Sequence, residues 1–199
     1  MAAVESGYGR GYVSRISGNI LSLGAGKSDA QLPSLYLPNL KEDPSVILYG
    51  AMINKYHKNQ LVWKKREKSL KKDYRPKNIA GTSKELDYFD KHLAQKKAAN
   101  LACIRDFVKN WISKNKKYRP YQEAKLMLEN AVKQGSKKVL FTRELNVKFL
   151  QMISGRKNSF NYRKTWAKKV IHVMDNAGLI ELAKTLHVQN QPFEIAWLK

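Results

Sequence analysis

The stretch whose reading decides the fold is Trp166-Ala-Lys-Lys-Val-Ile-His-Val-Met-Asp-Asn-Ala-Gly178. Trp166, Val170, Val173, Met174 and Ala177 recur every three or four residues, so they share one stripe of a helix. Tyr162 lies at the edge of that stripe and Ser159 is the expected N-cap. At 100° per residue the opposite face carries Asn161, Lys164, Thr165, Lys168 and His172, with Lys169 beside them. Gly178 stops the helix. No Asp or Glu occurs from residue 156 to residue 174, and Arg156 and Lys157 precede the cap.

Upstream, Ala124, Met127, Leu128, Ala131 and Val132 follow Pro120 at helical spacing and end at Gln134-Gly135. Val139-Leu-Phe141 reads as a short strand. Thr142 then caps a second helix with Leu145, Phe149, Met152 and Ile153 on one side, stopping at Ser154-Gly155. Downstream, residues 179–186 and 193–198 alternate like strands, with Phe193, Ile195 and Trp197 on one side. A polar connection, Lys184 to Pro192, joins them.

Helix, short strand, helix, helix, strand, loop, strand is the order of a winged helix-turn-helix, and residues 119–199 resemble that superfamily. The Asn176-Ala-Gly-Leu-Ile180 helix-to-strand turn adds to the resemblance. It implies a third helix in the major groove, with base-edge contacts from the outward face of residues 159–169. It also implies wing contacts from 184–191, which include Lys184, His187 and Gln189.

The first 118 residues carry no such pattern. Residues 1–42 read as an arm: Gly11 to Leu23 is either a hairpin turning at Gly18-Asn19 or an extended segment that orders on a partner. Asp43-Pro44 predicts a helix start, followed by Ile47, Leu48, Ala51, Met52 and Tyr56 at helical spacing. A basic run follows, Lys64, Lys65, Arg66, Lys68, Lys71, Lys72, Arg75 and Lys77, opposed only by Glu67 and Asp73. Gly81-Thr82-Ser83 begins a further helix, whose stripe is Leu86, Phe89, Leu93, Leu101, Ile104, Val108 and Trp111, with a break expected near Ala98-Asn100. Lys114, Lys116, Lys117 and Arg119 precede Pro120, where the boundary is expected. The fold class is therefore mainly α: an arm over 1–42, a basic helical region over 43–118, and a winged helix with a small antiparallel sheet over 119–199.

Composition limits the function. Lys and Arg number 38 against 16 Asp and Glu, for a net charge of +22 over 199 residues. The bias is general, with 23 basic against 10 acidic residues before position 119 and 15 against 6 after it. Such a balance concerns partners rather than fold, and it points to phosphate. One cysteine, Cys103, excludes an internal disulfide framework and reads as a buried, inert thiol. His57, His92, His172 and His187 show no metal spacing. Leu23-Gly-Ala-Gly-Lys-Ser28 resembles the end of a phosphate-binding loop, but Leu21 stands where the pattern needs glycine, which excludes nucleotide hydrolysis. No apolar run is long enough for a membrane span and the start lacks the order of a signal peptide.

The expectation is a soluble, intracellular (cytoplasmic or nucleoid) and non-catalytic protein without cofactor or metal. It binds duplex DNA as a regulator, replication protein or mobile-element accessory factor. The expected contacts are Arg156, Lys157, Asn161, Lys164, Thr165, Lys168, Lys169, His172 and the wing, with phosphate contacts from Lys64, Lys65, Arg66, Lys68, Lys71, Lys72 and Arg75. Two alternatives stand beside it. One is an RNA-binding subunit of a ribonucleoprotein whose winged helix docks on a protein neighbour. The other is an assembly factor whose winged helix binds protein only. A homo-oligomer or a larger complex is left open, and Tyr8, Tyr12, Tyr56, Trp63 and Tyr74 among basic residues would suit base stacking.

Overall fold

A computed structural model describes residues 1–67, 69–79 and 85–197. The expected phosphate contact Lys68 and the helix start at Gly81-Thr82-Ser83 lie outside the described residues. The protein is mainly helical with one small two-stranded antiparallel sheet. The chain divides into two compact units, Met1–Phe107 and Val108–Lys199.

In the first unit the N-terminal residues are core. Helix α1 (Ala2–Ser6) and helix α2 (Tyr12–Ser17) lead to strand β1 (Leu35–Leu40), which pairs antiparallel with β2 (Leu61–Arg66). Ile16, Leu32, Leu35, Leu37 and Tyr49 form one buried cluster, with Tyr12, Val13, Ile47 and Leu86 packed on it. Residues 1–42 are therefore not an arm. The tolerance of Gly18 for positive φ is used, but to end a helix rather than to turn a hairpin. Gly18 has φ 69°, and a Cβ there would lie 2.6 Å from the Ala99 Cβ, so only glycine lets α2 end so close to that helix. Asn19 is fully buried and acts as a clamp. Its Nδ2 donates to the carbonyls of Leu23 and Lys72, and its Oδ1 accepts from Leu23 N–H.

The helix expected from Asp43-Pro44 is absent. Asp43 Oδ1 accepts from the N–H and the hydroxyl of Ser45, a local turn that competes with helix initiation. Residues 46–48 then run extended beside β1, and only a 3₁₀ stretch, Gly50–Lys55, follows. The Leu61-Val-Trp63 segment is strand because β1 lies across from it, a partner that helical periodicity alone does not reveal.

Helix α3 (Tyr88–Lys91) and helix α4 (Leu93–Asp106) break at His92, whereas 98–100 is continuous helix. The inward side of α4 is Ala99 and Cys103, four residues apart, and Leu93, Leu101 and Ile104 of the expected stripe are exposed. Cys103 is buried, and burial pushes its thiol pKa up.

The second unit opens within a π-helical stretch, Phe107–Ser113. It contains helix α5 (Arg119–Gln134), helix α6 (Arg143–Met152), helix α7 (Trp166–Asn176), helix α8 (Leu179–His187) and helix α9 (Phe193–Ala196). The ends of α5 and α6 fall at Gly135 and Ile153, where the glycine and cap signals place them. Tyr121, Ala124, Leu150, Ile153, Trp166, Ala167, Val170 and Met174 make its core.

Three expected strands are helical. Residues 137–141 form a 3₁₀ turn capped by Ser136, whose hydroxyl accepts from Lys138 N–H and whose carbonyl accepts from Val139 N–H. Residues 179–187 form α8: Leu179, Leu182, Ala183 and Leu186 repeat with helical period, and Leu, Glu, Ala and Lys are strong helix formers. The Glu181–Lys184 pair supports it. Gly178, with φ 58°, lets α8 leave α7 without a strand between them. Residues 193–196 form the short α9, with Phe193 and Trp197 stacked at 5.6 Å and both exposed. The described sheet thus belongs to the first unit, not to the C-terminal one.

Candidate nucleic-acid interface

Residues 153–165 connect α6 to α7 as a loop closed at its base. Gly155 N–H donates to Asn161 O and Phe160 N–H to Ile153 O, both at 2.8 Å. The Phe160 ring lies 5.4 Å from Trp166 and 6.5 Å from Trp111, which anchors the loop in the core. At the tip Asn158 takes φ 61°, a conformation Asn tolerates. Arg156 is pinned: its Nη2 donates to Glu123 Oε2 at 2.6 Å and to Met152 O at 3.0 Å. Arg156 and Arg119 together hold the Glu123 carboxyl below the ordinary carboxylate range.

Outside this frame stand Lys157, Tyr162, Arg163 and Lys164, followed by Lys168 and Lys169 in the first turn of α7. All are exposed, Tyr162 at 73%. Among the described residues none of the five cations has an ion-pair partner. The reason is in the sequence: Glu144 and Asp175 bracket a stretch, 145–174, with no acidic residue at all. Asp175 itself is taken by Arg143, whose Nε and Nη2 donate to its two oxygens at 2.9 and 2.8 Å. The N-terminal end of α7 carries partial positive charge from the helix dipole. Helices α6, α8 and α9 place Glu144, Glu181 and Glu194 in that position, whereas α7 places two lysines there. Such an arrangement costs stability and concentrates positive potential.

Several expected contacts change place. Asn161 and Lys164 precede α7 instead of lying on it, because Ser159 turns the chain with its hydroxyl on Asn161 O rather than capping a helix. Asn161 is structural: its Oδ1 accepts from Arg163 N–H and its backbone closes the loop. Thr165 occupies the cap position without a side-chain cap bond. His172 is exposed and its Nε2 lies 3.0 Å from Asn176 Nδ2. Lys184 binds Glu181, His187 stacks on Phe141 at 5.5 Å, and Gln189 is exposed beyond α8. These three sit on and after a helix, so no wing is built from them. Arg163 and Tyr162 are the members the sequence reading passed over. Tyr162 was assigned to the edge of the apolar stripe, and a helix start at Trp166 instead leaves it in solvent.

The basic run of the first unit is largely taken up internally. Residues 69–74 are laced by main-chain bonds to residues 17–32, including Lys72 N–H to Leu23 O and Tyr74 N–H to Ser17 O. Arg75 and Asp73 pair at 2.7 Å with both side chains 0% exposed. Lys72 bridges Asp29 and Asp106 at 2.9 and 2.8 Å, and Lys71 donates to Ser22 O. These three are therefore corrected from phosphate contacts to structural groups. Arg66 is half-buried on β2, and Lys64 and Lys65 alone of the described candidates in the run remain exposed.

Among the described residues no helix is long and apolar enough to cross a membrane. No family model matches the chain, and neither a curated protein nor a solved structure is detectably similar to it.

Proposed function

We propose that this protein binds nucleic acid without catalysis, and that its target is duplex DNA in the cell interior. The observation that carries the reading is the cluster of five unpaired cations, Lys157, Arg163, Lys164, Lys168 and Lys169, around the first turn of α7. Phosphates displace condensed counterions when they meet such a cluster, so binding is driven largely by counterion release. In this reading α5, α6 and α7 correspond to the three helices of a winged helix, and α7 is presented to the duplex. The wing is not part of the proposal, since α8 occupies its sequence. A regulator, a replication protein and an accessory factor of a mobile element would all use such a surface.

A titration of the full chain with duplex DNA, single-stranded DNA and structured RNA at two salt concentrations tests it. Duplex DNA should bind best, and log K should fall with log salt with a slope of about −4.5 if all five cations meet phosphates. Salt-independent binding, or none to any nucleic acid, overturns the reading. A second reading, an RNA-binding subunit seated on a protein neighbour, draws on the exposed Phe193, Ile195 and Trp197. Preferential binding of structured RNA would favour it.

A further inference from the structure

The outward face of the β1–β2 ladder has an aromatic and basic character that the duplex reading does not use. Successive side chains of a strand point to opposite faces. Leu35 and Leu37 point inward and are fully buried, so Tyr36 points outward. The register sets Tyr36 opposite Lys65 and Pro38 opposite Trp63, which brings Tyr36, Lys65 and Trp63 onto one face. Tyr36 is 55% exposed and Trp63 53%. They are diagonal neighbours, about 7 Å apart in an antiparallel ladder. An open strand face normally carries polar side chains. Here two large rings stand in water with an ammonium beside them.

Within the ladder and the segment leading into β2 the charge is one-signed, and the exposed Glu67 follows directly, two residues beyond Lys65. From Pro44 to Arg66 the chain contains Lys55, Lys58, Lys64, Lys65 and Arg66 and no Asp or Glu. Lys41, whose N–H donates to Gln60 O at the end of the ladder, is exposed as well. The nearest acids in sequence lie beyond the two ends, Glu42 and Asp43 at one and Glu67 at the other, and Asp43 is occupied by Ser45. A second copy of this face would bring lysines against lysines, and an apolar protein partner would leave them unpaired. A polyanion whose repeating unit also offers a flat π-face satisfies both features. Bases in a duplex have no free face, so the strand must be unpaired.

We propose that Tyr36 and Trp63 form a stacking platform for successive bases of an unpaired DNA strand, with Lys65, on the same face, on its phosphates. The inference takes its polymer from the duplex reading but uses different residues on the other unit. A protein so equipped would hold a duplex and an opened strand at once.

The test uses the full chain, a labelled oligo(dT) of about 12 nucleotides, a site length within the usual range for such platforms, and a separate labelled duplex. Tyr36→Ala and Trp63→Ala should each weaken oligo(dT) roughly tenfold and leave duplex affinity unchanged, while Trp63→Phe should keep most of it. Thermal melts should show both alanine variants folded, since more than half of each ring is already in water. If melting shows either unfolded, Lys65→Ala serves instead and should weaken oligo(dT) and flatten its salt slope by about 0.7. The proposal is overturned if oligo(dT) affinity is unchanged in these variants, or if duplex affinity falls equally. It is also overturned if oligo(U) binds the same residues more tightly, or if Trp63→Ala converts a dimer to a monomer in light scattering. Loss of duplex binding with Trp63-dependent oligo(dT) binding intact sinks the duplex reading and leaves this one standing.

Discussion

Two stretches of this chain look alike in composition and come to opposite ends. Residues 64–77 and residues 156–169 are both dense in Lys and Arg. In the first, Arg75, Lys72 and Lys71 turn inward to Asp73, to Asp29 and Asp106, and to Ser22 O. In the second, only Arg156 finds an acid, Glu123. A cation in sequence stays unmatched on the surface only when no carboxylate lies within reach after folding. The first stretch has Asp73 within it and two further acids brought up by the fold, whereas the second sits in a span without any.

The largest expected effect tests the outward half of that contrast. Replacing Lys157, Arg163, Lys164, Lys168 and Lys169 by Ala together should lower duplex affinity by about a thousandfold or more at physiological salt, and remove most of the salt slope. The fold should hold, because none of the five supports another group. Relief of the charge at the α7 N-terminus should raise the melting temperature slightly. A quintuple variant that binds like the parent breaks the comparison.

Asp73→Ala tests the inward half. It leaves the Arg75 guanidinium buried and uncompensated, which costs about 3–5 kcal/mol, read as the shift in a denaturant unfolding midpoint. A loss below about 1 kcal/mol, the range of exposed pairs, would show that Arg75 reaches solvent and belongs to the cationic surface. Next in size, Asn19→Ala removes the clamp between the Leu23 turn and the Lys72 backbone. A loss of about 1–3 kcal/mol is expected from the buried groups left without partners, with duplex affinity unaltered once the protein is folded. An undiminished stability would detach residues 1–23 from the core and restore the arm.

The smallest effect sharpens the comparison through pH. Glu123 and Asp175 are the acids of the second unit that pair with arginines, and those arginines hold both carboxyls below their ordinary range. A lowered folded pKa adds stability that is complete above the unfolded value and is lost as pH falls through the folded one. The unfolding midpoint should therefore drop slightly between about pH 5 and pH 2. Asp175→Asn with Glu123→Gln should remove that part of the dependence. Both pairs are solvent-exposed, so the change is modest.

How much was legible follows from how local each signal is. The end of α5 at Gly135, the inward stripe of Trp166, Val170 and Met174, and the burial of Cys103 all rest on residues within a turn or two of one another. Residues 179–186 fit two periods because the apolar run is short, and the chain adopts the helical one, Leu179, Leu182, Ala183 and Leu186. The α7 start was displaced because Ser159 uses its hydroxyl on a loop carbonyl, a choice that depends on Phe160 seating against Trp166 and Trp111.

The sequence by itself determined α5, α6 and the body of α7, the excess of positive charge, and the acid-free span that leaves cations unmatched. These are properties of neighbours along the chain, where propensity, capping and charge act at short range. Only the tertiary structure decided that Leu61–Arg66 is a strand, that residues 1–42 are core, and that Arg75, Lys72 and Lys71 are structural. A strand needs a partner, here twenty-odd residues away, and a buried cation needs an acid delivered by another element. Neither partner is written beside the residue whose fate it settles.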